Sequence, residues 1–378
     1  MTIIDKDTAL KFLSDCLDES LNKFEAITED AAEVLSSHNG EIQLNGLREL
    51  SEASAMALAN HCGGYLSLNG LINLDDKLIS SLAKHQGDLY LNGLRKLSDK
   101  AAEYLAEHQG QLWLQGLISL SAKSAKMLAS HKGQLRLDGL TKLSPDVAVG
   151  LAMHNGDLHL RGVKEITVAT ARKLQKHKGG IYLHGVSSIS KEAACELAKH
   201  TGMLDLQGVT QITAEAASAL SDTTGYLNLK GLSLLSEDVA TQLVKHCGEL
   251  NLRGILKITS SVAYLFKDKK GTVNDMNPLD WLLEVCPTAT RELMLVATMS
   301  AFGIEVSKKL TIQKMDKNEK EYTIWFFDPE NQEDQIKAEK IAKAWANDSW
   351  QPSNDKHPLI FVKRALHNYQ KLIEINPC

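Results

Sequence analysis

Residues 87–110 read GDLYLNGLRKLSDKAAEYLAEHQG, and this stretch contains the unit from which most of the chain is built. Leu89 and Leu91 alternate with Asp88, Tyr90 and Asn92, the alternation of a short strand with one buried face. Gly93 and Leu94 then turn the chain, and Leu97 is assigned to plug the interior. Ser98 stands where a helix N-cap belongs, ahead of Asp99-Lys100-Ala101-Ala102-Glu103-Tyr104-Leu105-Ala106, so its hydroxyl can accept from the first free helical N–H groups. Gly110 follows the last turn as a helix C-terminal glycine.

The unit [LI]-x-L-x-G-[LVI] recurs ten times, with its glycine at Gly46, Gly70, Gly93, Gly116, Gly139, Gly162, Gly185, Gly208, Gly231 and Gly254. The spacing is 23 residues except for a first step of 24. The cap position recurs as well, at Ser51, Asp75, Ser98, Ser121, Ser144, Thr167, Ser190, Thr213, Ser236 and Thr259. A fixed period of this length predicts a solenoid, in which each unit buries its apolar face only against its neighbours. Thr28 to Leu35 matches the helical half of the unit, and Leu10, Leu13, Leu17, Leu21 and Phe24 ahead of it have helical spacing. The expected organisation is therefore an N-terminal helical cap over 1–27, a solenoid of ten 23-residue repeats over 28–271 and a C-terminal α+β unit over 272–378. The extra residue of the second repeat falls near Gly63-Gly64, which predicts a small bulge that leaves the register intact.

The pattern L-x-L-x-G-L-x-x-L-S-x-x-A-A-x-x-L-A-x-H-x-G resembles leucine-rich repeats, most closely the cysteine-containing type and related bacterial forms. The resemblance covers about residues 28 to 271. It implies an α/β horseshoe with a parallel sheet on the concave side and helices on the convex side. The period is shorter than is usual for the cysteine-containing type, and His stands where that type often carries Cys.

A formal net charge of −5 without long runs of one sign argues against nucleic acid as the main partner. No apolar stretch approaches the length of a membrane span. The six cysteines are scattered without a C-x-x-C pair, and Met1 to Asp7 shows no basic or apolar leader, so a reduced cytoplasmic protein is expected. A bacterial effector exported without a cleaved signal would share these features.

Nine of the 13 histidines occupy one repeat position: His38, His61, His85, His108, His131, His154, His177, His200 and His246. A metal site needs ligands that converge on a point, whereas this ladder spreads them along an axis, so no metal and no cofactor is expected. The alternative is a side chain that bonds free helix-end carbonyls, helped by the negative end of the helix dipole, with only modest stability changes between about pH 5 and 8. The Asn-Gly pairs at 45–46, 69–70 and 92–93 read as turns tolerant of positive φ.

The strand positions between the leucines carry the functional expectation. Five of the eight aromatics in residues 28–271 (Tyr65, Tyr90, Trp113, Tyr182 and Tyr226) fall on or beside them, although the core is Leu and Ala. Aromatics and Arg on an exposed sheet have the composition of a binding hot spot. The candidate partner-binding residues are Tyr90, Trp113, Arg136, His159 and Tyr182 in the central column, with Arg161 and His184 as a cationic edge. The competing reading is that these rings brace one another across the ladder. A protein partner is expected and a glycan ranks below it.

After Gly271 the period stops. Helices are expected from Asn277 and over Ala289 to Phe302, with a hairpin of Lys309–Met315 and Tyr322–Phe327. Helical stripes occur at Ala338 to Trp345 and at Val362 to Ile373. Some bacterial leucine-rich-repeat effectors carry a ubiquitin ligase domain with a C-x-D motif; Cys286-Pro287-Thr288 departs from it. The chain is expected not to be an enzyme, the alternative being an effector whose activity lies in 272–378.

Overall fold

The computed structural model describes residues 2–14, 20–266, 269–286, 313–314 and 321–322. The chain divides into two compact units, Met1–Ile255 with Lys270–Asp275, and Leu256–Lys269 with Met276–Cys378.

The first unit opens with β1 (Ile3–Ile4), the helix Lys6–Leu13 and β2 (Ala26–Ile27), β1 and β2 pairing in parallel. Ten two-residue strands follow: β3 (Ile42–Gln43), β4 (Leu66–Ser67), β5 (Leu89–Tyr90), β6 (Leu112–Trp113), β7 (Leu135–Arg136), β8 (Leu158–His159), β9 (Ile181–Tyr182), β10 (Leu204–Asp205), β11 (Leu227–Asn228) and β12 (Leu250–Asn251). They form one open parallel sheet in sequence order, with a helix between each strand and the next. Register follows the period, as in Leu89↔Leu112↔Leu135, and the added residue at Gly63-Gly64 is absorbed before Ile42↔Leu66.

Each repeat buries the same atoms. Leu91, Leu114, Leu137 and Leu160 form one column with no exposure, and small residues such as Ala101 and Ala102 let the helix lie against it. Leu94, not Leu97, is the fully buried residue after the turn; Leu97 is half-buried. Every cap from Ser51 to Ser236 accepts from the N–H three residues on, as Ser98 does from Ala101.

The period reaches beyond both ends of the expected array. Asp5 caps the first helix, Thr28 caps the next, and the two lie 23 residues apart, as do Thr28 and Ser51. Leu21 and Asn22 stand 23 residues before Leu44 and Asn45, and Leu21 is buried like Leu44. The N-terminal cap is thus a degenerate repeat rather than a plain helix. At the other end Val273, 23 residues after Leu250, bridges to it in parallel. Gly271, Asn274 and Asp275 have left-handed backbone, and the Asn274 side chain accepts from Leu252 N–H.

The repeat glycines are not turn residues of positive φ; among the described glycines only Gly271 has that conformation. They are sites of backbone contact. A Cβ on Gly116 would lie 2.1 Å from the Asn92 carbonyl oxygen, and one on Gly110 would lie 2.1 Å from that of Gly87. The asparagines beside them have a different task. Asn22, Asn45, Asn69 and Asn92 each accept, through Oδ1, the backbone N–H of the equivalent residue in the next repeat. Asp138 does the same for Arg161. In later repeats the N–H groups of Gln207, Lys230 and Arg253 turn instead to Asp205, Asn228 and Asn251 two residues back. Replacing Asn69 by Ala strands the Asn92 N–H. The expected loss is about 1–3 kcal/mol in urea unfolding, and a loss below about 0.5 kcal/mol would contradict this role.

In the second unit the helices Ser260–Phe266 and Pro278–Val285 bring Phe266 against Trp281, both fully buried, with ring centroids 5.1 Å apart. The hairpin appears as β13 (Gln313–Lys314) antiparallel to β14 (Glu321–Tyr322). The expected helices over 289–302, 338–345 and 362–373 lie outside the described residues.

Candidate functional site

Alternation places the strand leucines on one sheet face and the residues between them on the other. Strand register then makes Tyr90, Trp113, Arg136, His159 and Tyr182 successive rungs of one column. Their side chains lean on one another. Tyr65 lies 4.9 Å from Tyr90, Tyr90 stacks on Trp113 at 4.5 Å, and the Arg136 guanidinium lies 3.9 Å from the Trp113 ring. Beyond it, His159 stacks on Tyr182 at 4.1 Å, and Arg161 sits 5.9 Å from the Tyr182 ring. The bracing read as the competing possibility is therefore present in the structure.

This contact changes the expected exposure. Tyr90, Trp113, Arg136, Tyr182, Arg161 and His184 are half-buried rather than fully solvent-facing, and His159 is buried. The far end of the column, Asp205, Asn228 and Asn251, is buried because those side chains satisfy neighbouring backbone N–H groups. Only the strand-to-strand polar pattern could have disclosed this, since alternation alone assigns all ten positions outward.

Charge is distributed unevenly along the face. His184 Nε2 lies 3.0 Å from Asp205 Oδ2, so His184 adds little to a cationic edge. Burial alone would raise the Asp205 carboxyl, but His184 and the Gln207 N–H hold it below its ordinary value. Burial depresses Arg136, and the charge of Arg161 adds to that effect. His159, buried and next to both guanidiniums, is pushed down to about 4.

The histidine ladder lies elsewhere in the same repeats. From His38 to His200 successive rings stack with centroids 5.4–6.5 Å apart. The helix-end carbonyl that the helix-dipole reading expected is met in one copy, where His108 faces the C-cap carbonyl of Ala83, but the charged ring that the dipole would favour is opposed by burial. Burial first, then neighbouring imidazoles, push His85, His131 and His177 down to about 4. Burial likewise lowers His61, His108, His154 and His200. Ring nitrogens of His61, His108 and His131 meet carbonyls of the preceding repeat, those of Gly40, Ala83 and His108, whereas His246 meets the carbonyl of Glu249, three residues on. Gly63, Gly87, Gly156 and Gly202 hold the ring two residues back, since a Cβ there would lie 2.4–3.0 Å from its Nε2. Among the described residues no group of three or more His, Cys, Asp or Glu is arranged to hold a metal ion. Among them also, no helix is long and apolar enough to cross a membrane.

A parallel ten-strand sheet, one helix per strand and a 23-residue register define the fold as a leucine-rich-repeat solenoid. No protein-family model matches the chain, and no curated protein sequence does. Several solved structures match the chain over part of its length. An internalin of Listeria monocytogenes strain 4b F2365 is 16% identical, with a TM-score of 0.37 over 74% of this chain and 92% of that one. A chain of the Drosophila Toll–Spatzle complex is 11% identical, with a TM-score of 0.40 over 64% of this chain and 41% of that one. Its glycosylated form is also 11% identical, with a TM-score of 0.42 over 74% and 40%. The chain thus spans less than half the length of the two chains from the Drosophila complex.

Proposed function

We propose that the chain is a non-enzymatic protein-recognition scaffold whose partner lies along the sheet face opposite the leucines. The observation that carries this reading is the concentration of rings and guanidiniums there, over a core that is Leu and Ala in every repeat. Tyr90, Trp113, Arg136, Arg161 and Tyr182 supply the contact surface. His159 supports it from beneath, and His184 flanks it in its pair with Asp205. Stacked aromatics held by neighbouring rungs are pre-ordered, so a partner that covers them orders few new rotamers.

The test is capture of the partner from native lysate by the full chain and by Trp113→Ala, with Met153→Ala, a substitution at an exposed helix-side residue, as control. Trp113 stacks on both sides, so its removal lowers the melting temperature while the chain stays folded at 25 °C. Capture by this variant is expected to fall roughly thirtyfold, about 2 kcal/mol, and to be unchanged in the control. A folded Trp113→Ala chain that captures its partner at full strength would show the sheet face to be the wrong surface.

A further inference from the structure

The middle of the sheet face holds an unusual set of unspent donors. The Arg136 guanidinium lies against the Trp113 ring and that of Arg161 near the Tyr182 ring, and among the described residues no acceptor pairs with the Nε of either. The Trp113 indole nitrogen and the Nε atoms of Arg136 and Arg161 are buried donors without a hydrogen-bond partner, and the two ring nitrogens of neutral His159, one donor and one acceptor, are likewise unpaired. Arg136 and His159 are register partners on adjacent strands, and Arg161 follows His159 by two residues. Two guanidiniums therefore flank one buried neutral imidazole, Arg136 close against the Trp113 ring and Arg161 at the longer distance from Tyr182. Buried donors without acceptors cost free energy that an incoming acceptor recovers.

We propose that Arg136 and Arg161 together form an anion-accepting site that takes a carboxylate, supplied by an aspartate or glutamate of a bound protein segment; this rests on the sheet-face reading above. Guanidinium forks match the two oxygens of a carboxylate or phosphate group. The surroundings select between them. Asp138 acts on Arg136 and His159, and Asp157 on His159 and Tyr182; one oxygen of each accepts a backbone N–H, Asp138 from Arg161 and Asp157 from Gly180. With Asp138 acting on Arg136 and Asp157 on the imidazole between the guanidiniums, the positive charge here is partly offset, which suits a singly charged anion better than a dianion.

The test uses the full chain and small anions. Proton–nitrogen spectra at pH 7 follow the Trp113 indole N–H, identified by its loss in Trp113→Phe, during titration with sodium acetate, sodium phosphate or sodium chloride at matched ionic strength. Acetate is expected to give a saturable shift, phosphate a response several-fold weaker at equal concentration, and chloride only a linear drift. The acetate shift is expected to vanish in Arg136→Gln with Arg161→Gln. Absence of saturation with acetate, a phosphate response as strong as that to acetate, or persistence in the double variant would each overturn the site. Because the probe needs no partner, a failed acetate titration beside intact Trp113-dependent capture refutes this site alone and leaves the scaffold reading standing.

Discussion

Acidification from pH 7 to pH 5 is expected to lower the stability of the protein by roughly 5 kcal/mol, through the buried ladder imidazoles held near 4, His85, His131 and His177. In the folded chain these rings stay neutral until the pH approaches 4, whereas in the unfolded chain they take up protons near 6.5. Unfolding therefore binds protons between those two values. Stability is full above about pH 7 and falls as the pH drops through that window, by up to about 1.4 kcal/mol per pH unit for each such group. His61, His108, His154 and His200 act in the same direction. The modest change expected from a helix-end histidine is thus replaced by a steep one. Urea midpoints at pH 7.5, 6 and 5 would measure it, and His131→Gln should flatten the slope by about one proton. Equal midpoints at pH 7.5 and 5 would show that the ladder rings are not held neutral.

Gly116→Ala is expected to cost about 3 kcal/mol or more, at the upper end of overpacking penalties, because its Cβ would lie 2.1 Å from the Asn92 carbonyl and 2.8 Å from that of Leu94. Both obstacles are backbone of the preceding repeat, so relief requires two repeats to separate and their strand hydrogen bonds to lengthen. Gly64→Ala is the internal contrast. Its Cβ would meet only the Glu41 side chain, at 3.3 Å. A flexible side chain can withdraw, and loss of glycine freedom in the unfolded chain favours the variant slightly. If both substitutions give the same unfolding midpoint, close backbone contact is not what the repeat glycine provides.

The repeat architecture was legible because a 23-residue period carries its own alignment: Leu91, Leu114 and Leu137 had to share one environment. The caps were legible for the same reason. What period alone could not supply was the reason for a recurring residue. Gly116 is invariant in its role through a contact with another repeat, and local turn chemistry predicts the same letter. Asn69 reads as a turn residue, yet its oxygen serves the N–H of Asn92 one strand away. The candidate site was legible as a column and only partly as a surface. Tyr90, Trp113 and Arg136 do form one strip, but alternation says nothing about lateral stacking, which half-buries them and buries His159. The N-terminal repeat escaped notice because Ile3-Ile4 and Ala26-Ile27 lack the leucine-glycine signature, although Asp5 keeps the period.

A stack built by translation has no inherent length, since the last strand always offers the pattern that the next one needs. Here the count is terminated by a few residues. Thr272 and Asn274 complete the hydrogen bonds of Leu250, and the Asn274 side chain takes the Leu252 N–H. The left-handed turn at Asn274 and Asp275 then leads the chain off the growing edge. A short, turned edge is a poor template for a further rung from a neighbouring molecule. The same chemistry that makes ten repeats add so readily would, without this stop, make each molecule a template for the next.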